Sequence, residues 1–309
     1  MGYLDFKFNN LSPSERDILN VIQVDEVLTV GGVAGEYSTI QSAVNYATAI
    51  ANKGKNIDIH IRSGLYNEAI NIPDCGSDGL TAMTGSMAEA GTLRLIGVGY
   101  VKIYQGDTAT TPTIKVLRPC VQLHNLVVTS LSAQPAIYGI CDNNTGAGGD
   151  INNGFAAGLI INNCNVRGGG PDDTAVASSC GISLVGALKT VITNCLIEDF
   201  VNGIDIIGSN VNYALYNTIE NCDFDGNTND ISVNSVQYSY IKNCNFLDAS
   251  ATRYLATNTG LNPCTGCKII GGTVAAVNLT KFTGVAGWSA IGIIGAANPA
   301  SLFDLDLSS

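Results

Sequence analysis

Apolar and polar residues alternate in short runs along most of the chain, and four of these runs contain an Asn-Cys pair. The runs are IINNCNV (160–166), VITNCLI (191–197), TIENCDF (218–224) and YIKNCNF (240–246). Strand alternation places each cysteine on the same face as the apolar residues two positions away, and each asparagine on the opposite face or in a bend. The pattern predicts short β-strands that meet at turns.

The same unit recurs along the chain with unequal spacing. The four cysteines follow one another at intervals of 31, 27 and 22 residues, and a second strand follows the first three copies, at GISLV (181–185), NGIDI (202–206) and NDISV (229–233). Repeats of this length with strand character and no helical period are typical of a solenoid. The unequal intervals between the cysteines fit loops of different length on one side of the solenoid. We therefore predict an all-β parallel β-helix.

Equivalent residues of successive coils stack about 4.8 Å apart in such a fold. Two columns are predicted, an internal one of small apolar thiols and a ladder of amides at a bend. The thiol column contains Cys164, Cys195, Cys222 and Cys244, and the amide ladder contains Asn163, Asn194, Asn221 and Asn243. In this interpretation the cysteines pack the core and have no chemical role.

The N-terminal third contains helical patterns. Residues 37–54 place apolar side chains at helical spacing and end at Gly54, which predicts a helix that caps the first coil. Residues 12–22 begin Ser-Pro-Ser-Glu, a sequence typical of a helix start. We predict three parts: an N-terminal docking or assembly segment (1–35), the β-helix (36–290) and a C-terminal strand and tail (291–309).

Composition narrows the function classes. The chain has 309 residues, a net charge of −11 and only 13% charged residues. Nucleic-acid binding requires clustered Lys and Arg, so it is not expected. The sequence contains no apolar run of the roughly 20 residues needed to span a bilayer. The N-terminus lacks the pattern of a secretion signal, so we expect reduced cysteines.

Cys264 and Cys267 form a single CxxC pair. A zinc site usually needs a second such pair or histidines, and His60 and His124 are distant in sequence. Cys267 also precedes a strand, where we expect it to continue the thiol column. No metal ion and no cofactor are predicted.

Three motifs resemble the pectin-lyase-like right-handed β-helix superfamily, and pectin methylesterases most closely. They are VGGVAGEYSTIQSAVNYA (30–47), GLYNEAI (64–70) and LRLIGVGYVKI (93–103). The resemblance covers about the first hundred residues and implies a right-handed parallel β-helix. These are scaffold motifs, so they indicate a fold and not an activity.

The catalytic motifs of that family are incomplete here. The stretch that resembles the first motif, 163–176, keeps Asp173 and Thr174 but has no glutamine. The nucleophile position of the second motif falls on Asn202, and an amide cannot attack an ester as a carboxylate does. The resemblance therefore implies that pectin methylesterase activity is absent.

Other reactions on this fold would need paired carboxylates. Asp172 and Asp173 lie together on a predicted loop, and Asp205 or Asp230 on a neighbouring coil could supply a partner for glycoside hydrolysis. The alternative is that Pro-Asp-Asp is only a turn. Asp223, Asp225 and Asp230 could hold a cation, or form a solvated acidic ridge.

We expect a non-enzymatic bacteriophage virion surface protein, either a capsid decoration or a spike. The resembled fold also forms phage spikes, usually as trimers, and such proteins need no secretion signal. A homotrimer made in the host cytoplasm, attached to other virion proteins through its N-terminal segment, is the expected assembly. The alternative is a tailspike-like protein that binds or cleaves a host-surface glycan.

Overall fold

The computed structural model describes fourteen stretches of the chain. They are residues 23–32, 35–52, 54–73, 91–106, 111–130, 136–139, 157–168, 179–208, 214–247, 253–257, 264–274, 282–283, 288–291 and 294–295. No helix within these stretches is long and apolar enough to cross a bilayer.

Short strands make up most of the described structure. In chain order they are β1 (Glu26–Val30), β2 (Ile57–Asn67), β3 (Ile70–Ile72), β4 (Leu93–Gln105), β5 (Ile114–Val116), β6 (Val121–His124), β7 (Val127–Ser130), β8 (Ile137–Gly139), β9 (Ile160–Asn162), β10 (Asn165–Arg167), β11 (Cys180–Val185), β12 (Val191–Thr193), β13 (Leu196–Glu198) and β14 (Asn202–Ile207). They continue as β15 (Ala214–Leu215), β16 (Thr218–Glu220), β17 (Asp223–Asp225), β18 (Asn229–Asn234), β19 (Val236–Gln237), β20 (Tyr240–Lys242), β21 (Asn245–Phe246), β22 (Arg253–Thr257), β23 (Cys267–Ile270), β24 (Thr273–Val274), β25 (Phe282–Thr283), β26 (Trp288–Ile291) and β27 (Ile294–Gly295).

All pairings between these strands are parallel, and most of the strands stack into three faces. β15 and β19 form a separate pair. β4 pairs with strands of both face 1 and face 2, and β2 and β1 stack on β4 in turn. Face 1 contains β6, β9, β12, β16, β20, β23 and β26. Face 2 contains β7, β10, β13, β17, β21, β24 and β27. Face 3 contains β3, β5, β8, β11, β14, β18, β22 and β25. The predicted all-β parallel β-helix is confirmed.

The core consists of rows of apolar side chains that point inward from each face. On face 1, one row contains Ile59, Leu95, Leu123, Ile161, Ile192, Ile219, Ile241 and Ile269, each at most 3% exposed. On face 2, Phe224 stacks on Phe246 with ring centroids 5.4 Å apart. Such rows form because alternate strand residues face the same side and every coil repeats the register.

Corners between the faces require left-handed backbone. The corner between face 1 and face 2, which we call the asparagine corner, contains Asn125, Asn163, Asn194, Asn221, Asn243 and Gly271, with φ between +50° and +65°. Asparagine and glycine are the residues that adopt this conformation most easily. The repeated asparagine is thus explained by the backbone it must adopt.

The predicted capping helix is confirmed as α1 (Ile40–Ala47), which contacts β1, β2 and β3. Thr39 caps its first turn by accepting from the backbone N–H of Ser42. The Glu68 carboxylate accepts from the backbone N–H groups of Ile40 (2.9 Å) and Gln41 (3.1 Å). A carboxylate at a helix N-terminus satisfies donors that the helix leaves free. The helix ends seven residues before Gly54.

Two strands lie within the segments that the sequence assigned to the termini. β1 falls inside 1–35 and pairs with β2, so the sheet begins at Glu26. β27 falls inside 291–309 and pairs with β24. The helix predicted over 12–22 lies outside the described residues, as does the end of the tail after residue 295.

Candidate functional site

The four Asn-Cys cysteines occupy equivalent positions on the inner side of the asparagine corner. Their exposure is 2% or less, and each thiol lies near two backbone carbonyls, one on the preceding coil at 3.6–3.8 Å and one two residues earlier in its own coil at 3.2–3.5 Å. A hydrogen bond with Cys195, together with burial, raises the pKa of the Cys164 thiol well above its ordinary value. Protonated thiols in the core are poor nucleophiles and poor metal ligands.

The expectation that Cys267 continues this column is wrong. Lys268 pairs with Tyr240, so Cys267 is level with Ser239, which precedes β20. Cys244 follows β20, so the thiol column lies at the other end of the strands of face 1. The position next to Cys244 belongs to Gly272. Cys264 and Cys267 are both buried and both free, and burial raises the pKa of Cys267 to about 12.

The amide ladder is only partly a single column. Asn163 donates from Nδ2 to Oδ1 of Asn125 over 2.8 Å, and Asn221 donates to Oδ1 of Asn194 over 3.5 Å. Asn194, however, donates to Asn162, which is a strand residue of face 1, over 2.9 Å. The ladder therefore leaves the corner and joins the outer surface of face 1.

On that surface the ladder continues as a hydrogen-bonded relay. Asn162 Nδ2 lies 3.4 Å from His124 Nδ1, and His124 Nε2 lies 3.0 Å from Gln122 Oε1. An amide NH₂ can only donate and an amide oxygen can only accept, so His124 must be the neutral Nε2–H tautomer. The relay therefore runs in one direction, from Asn221 through Asn194, Asn162 and His124 to Gln122.

The surroundings of His124 keep it neutral. Burial lowers the pKa of this imidazole, and the nearby Arg94 guanidinium lowers it further, while Asp58 acts in the opposite sense. Neutrality is required by the relay, because a protonated imidazole could not accept from Asn162.

Arg94 and Asp58 form a bidentate ion pair beside the relay. Both residues belong to the outward row that contains Gln122. Arg94 Nε and Nη2 lie 2.6 Å and 2.8 Å from the two carboxylate oxygens of Asp58. His60 Nε2 lies 3.9 Å from the same carboxylate. Bidentate pairing occupies both oxygens, so Asp58 is poorly placed to act as a base or nucleophile.

A groove of about 290 Å³ runs along the asparagine corner onto face 2. Its lining includes Tyr100, Asn125, Asn163, Asn165, Asn194 and Leu196. Tyr100 is 61% exposed. Every residue that lines the groove in the described part of the chain is uncharged. Its chemistry is that of amides beside one phenol ring.

Of the residues proposed for catalysis, Asp205 and Asp230 are described. Asp172 and Asp173 lie outside the described residues. Asp205 is on the outer side of face 3, in register with Ser183 and Ser232, and burial raises its pKa. Asn202, the position that the resemblance assigned to a nucleophile, accepts a hydrogen bond from Asn229 over 2.8 Å.

The acidic residues considered for a cation are separated. Asp223 accepts from Asn245 on the outside of face 2, and Asp225 is exposed near it. Asp230 is 1% exposed and accepts from Asn227. Among the described residues, no three His, Cys, Asp or Glu side chains cluster as metal ligands do.

The sequence reasoning missed the histidines. His60 and His124 are distant in sequence, yet they lie in one outward row of face 1, where only Ile96 separates them. The sequence contains a signal for this row: polar residues two apart, at Asp58 and His60 and again at Gln122 and His124, mark the outer face of the two coils on either side of β4.

No protein-family model matches the chain, and no curated protein sequence matches it. Among solved structures, a pectin methylesterase from carrot is 12% identical, over 91% of this chain and 86% of its own, with a TM-score of 0.44. The rice weevil pectin methylesterase is 15% identical (91% and 87%, TM-score 0.43). Pectate lyase Pel9A is 12% identical (90% and 78%, TM-score 0.42).

Proposed function

We propose that this chain is a non-enzymatic glycan-binding protein whose ligand lies in the groove along the asparagine corner. The observation that carries the proposal is the lining of that groove, in which amides and the exposed Tyr100 ring occur together without charge. Amides offer both donors and acceptors, which match the hydroxyl groups of a sugar. The phenol ring offers an apolar face with a polar end.

Binding is favoured over cleavage because the groove lacks the groups that cleavage requires. Glycoside hydrolysis uses two carboxylates about 5–9 Å apart across the bond. The described lining of the groove contains no carboxylate. The nearby Asp58 is engaged by Arg94.

A printed array of bacterial capsular and O-antigen polysaccharides tests this proposal. We expect the purified chain to bind at least one polysaccharide without releasing reducing ends. The double variant Tyr100→Ala/Asn163→Gly should lose at least tenfold in affinity; glycine at 163 keeps the left-handed corner. Tyr46→Ala, which removes an exposed ring on α1, is the matched control. Unchanged binding by the groove variant would refute this site.

Cleavage would point to the alternative function. If reducing ends appear, Asp172→Asn/Asp173→Asn decides whether those residues are catalytic. Persistence of cleavage in that variant would exclude them.

We also propose that the protein is displayed on a virion as a homotrimer, attached through its N-terminal segment. An acidic, weakly charged composition and the resemblance to spike folds support this proposal. Light scattering should give three times 32.1 kDa for the full chain. Deletion of residues 1–22, which leaves β1 intact, should abolish binding to virions. Virion binding by the truncated chain would contradict the docking role.

A further inference from the structure

A second left-handed corner precedes face 1 on every described coil from β6 to β23. We call it the entry corner. It contains Cys120, Gly158, Lys189, Tyr216, Tyr238 and Gly266, with φ between +49° and +68°. The backbone N–H of each of the first five donates to the residue that precedes the next member, which fixes the column. Glycine is the residue that fits this backbone without strain.

Two successive coils place tyrosine in this column, between Lys189 of the coil before and Gly266 of the coil after. A bulky residue with positive φ is a genuine outlier, and such strain persists where the side chain serves a purpose. The rings of Tyr216 and Tyr238 stack 5.6 Å apart at 16°. They are 51% and 48% exposed, so burial in the core is not that purpose.

The next member of the corner, Gly266, has no side chain to place against the Tyr238 ring. A Cβ on Gly266 would lie 2.7 Å from Cδ1 of Tyr238, so glycine at this position keeps side-chain atoms off that ring. Thr265 and Lys268, which flank the opening, are exposed. The result is a shelf made of an aromatic face with a hydroxyl and an ammonium group at its border.

We propose that Tyr216 and Tyr238 form a second glycan subsite, in which a pyranose ring stacks on Tyr238 above Gly266. This subsite rests on the proposed function, because it serves the same ligand as the groove. The C–H face of a pyranose is apolar and fits an aromatic face, while its hydroxyls can bond Thr265 and Lys268. Tyrosine supplies this contact area with little conformational freedom to lose.

The two subsites flank the same face. Tyr216 and Asn221 flank β16, five residues apart, which is at most roughly 16 Å at the rise of an extended strand. The groove reaches Asn194, one coil before Asn221. An oligosaccharide that crosses face 1 obliquely can therefore contact both.

The test uses variants that suit the left-handed backbone, on the same polysaccharide array and by titration of the polysaccharide that binds best. Tyr216→Asn/Tyr238→Asn should lower affinity at least tenfold, while Tyr216→Phe/Tyr238→Phe should stay within threefold. Lys189→Gly changes the same corner without removing a ring and should bind as the wild type. The Tm of the Asn variant should stay within about 2 °C, because relief of strain offsets lost ring contacts.

Each outcome is decisive. Wild-type affinity in the Asn variant, or loss in Lys189→Gly equal to that of the Asn variant, overturns the subsite. A large fall in Tm identifies the rings as structural, and also overturns it. Loss in the Asn variant alone, with the groove variant unaffected, refutes the groove but keeps this subsite. If the wild type binds no glycan, both proposals fail.

Discussion

Asn194 donates its side-chain N–H to Asn162 on the neighbouring coil, 2.9 Å away, and not to Asn163, its counterpart in the asparagine corner. This single diversion connects the corner to the outer surface of face 1. Through Asn162 it reaches His124, an imidazole whose pKa burial lowers. The groove and the polar surface of face 1 are thereby parts of one hydrogen-bonded unit.

The relay predicts a pH dependence that originates in His124. Its folded pKa lies below the unfolded value of about 6.5, so below that pH the unfolded chain binds the proton more readily. Stability is therefore complete above about pH 6.5 and is lost as the pH falls towards the folded pKa. Urea unfolding of wild type and His124→Gln between pH 5 and pH 8 measures this. His124→Gln should reduce the slope of unfolding free energy against pH, whereas His60→Gln should keep the wild-type slope. Equal slopes in the wild type and both variants would contradict the relay.

Asp205 predicts an effect of the opposite sign. Burial raises its folded pKa above about 3.8, so the carboxylate destabilises the folded chain once the pH exceeds that value. Asp205→Asn should therefore be more stable than the wild type at pH 7, and the difference should vanish below about pH 3.8. Thermal unfolding at pH 3.5 and pH 7 checks this. Asp225→Asn, at an exposed position, is the control and should change little.

The thiol column predicts a pattern of reactivity. In the folded protein, Cys164, Cys195, Cys222 and Cys244 should not react with a thiol reagent, because the core excludes the reagent from these buried side chains. All ten cysteines should react after unfolding. Mass spectrometry of the alkylated peptides identifies which react. Rapid labelling of Cys195 in the native protein would overturn the packing role.

The contact between Glu68 and α1 predicts a stability effect. Glu68→Ala leaves the backbone donors of Ile40 and Gln41 without the carboxylate and should cost about 1 kcal/mol of unfolding free energy. Glu36→Ala, at an exposed position, should change it by about 0.5 kcal/mol or less. Denaturant titration compares the two variants. Equal effects would show that the carboxylate does not stabilise the helix.

Much of the fold follows from local pattern. Alternation around each Asn-Cys pair decides which side chains point inward, and that alternation is a property of the strand itself. The inward position of Cys195 can be derived from the seven-residue run that contains it, and the bend at Asn194 is one of the two placements that this run allows. The spacing of Ile40, Val44 and Ala47 likewise predicts the capping helix.

The relationships between coils were decided only by the tertiary structure. Loops of unequal length separate the strands, so sequence distance does not reveal which residues stand level; Gly272, and not Cys267, follows Cys244 for this reason. His60 and His124 are 64 residues apart in sequence, yet only β4 separates them in the sheet. The sequence by itself determined the direction of each side chain. Parallel pairing, which joins distant segments in a fixed register, determined their neighbours and so the candidate site.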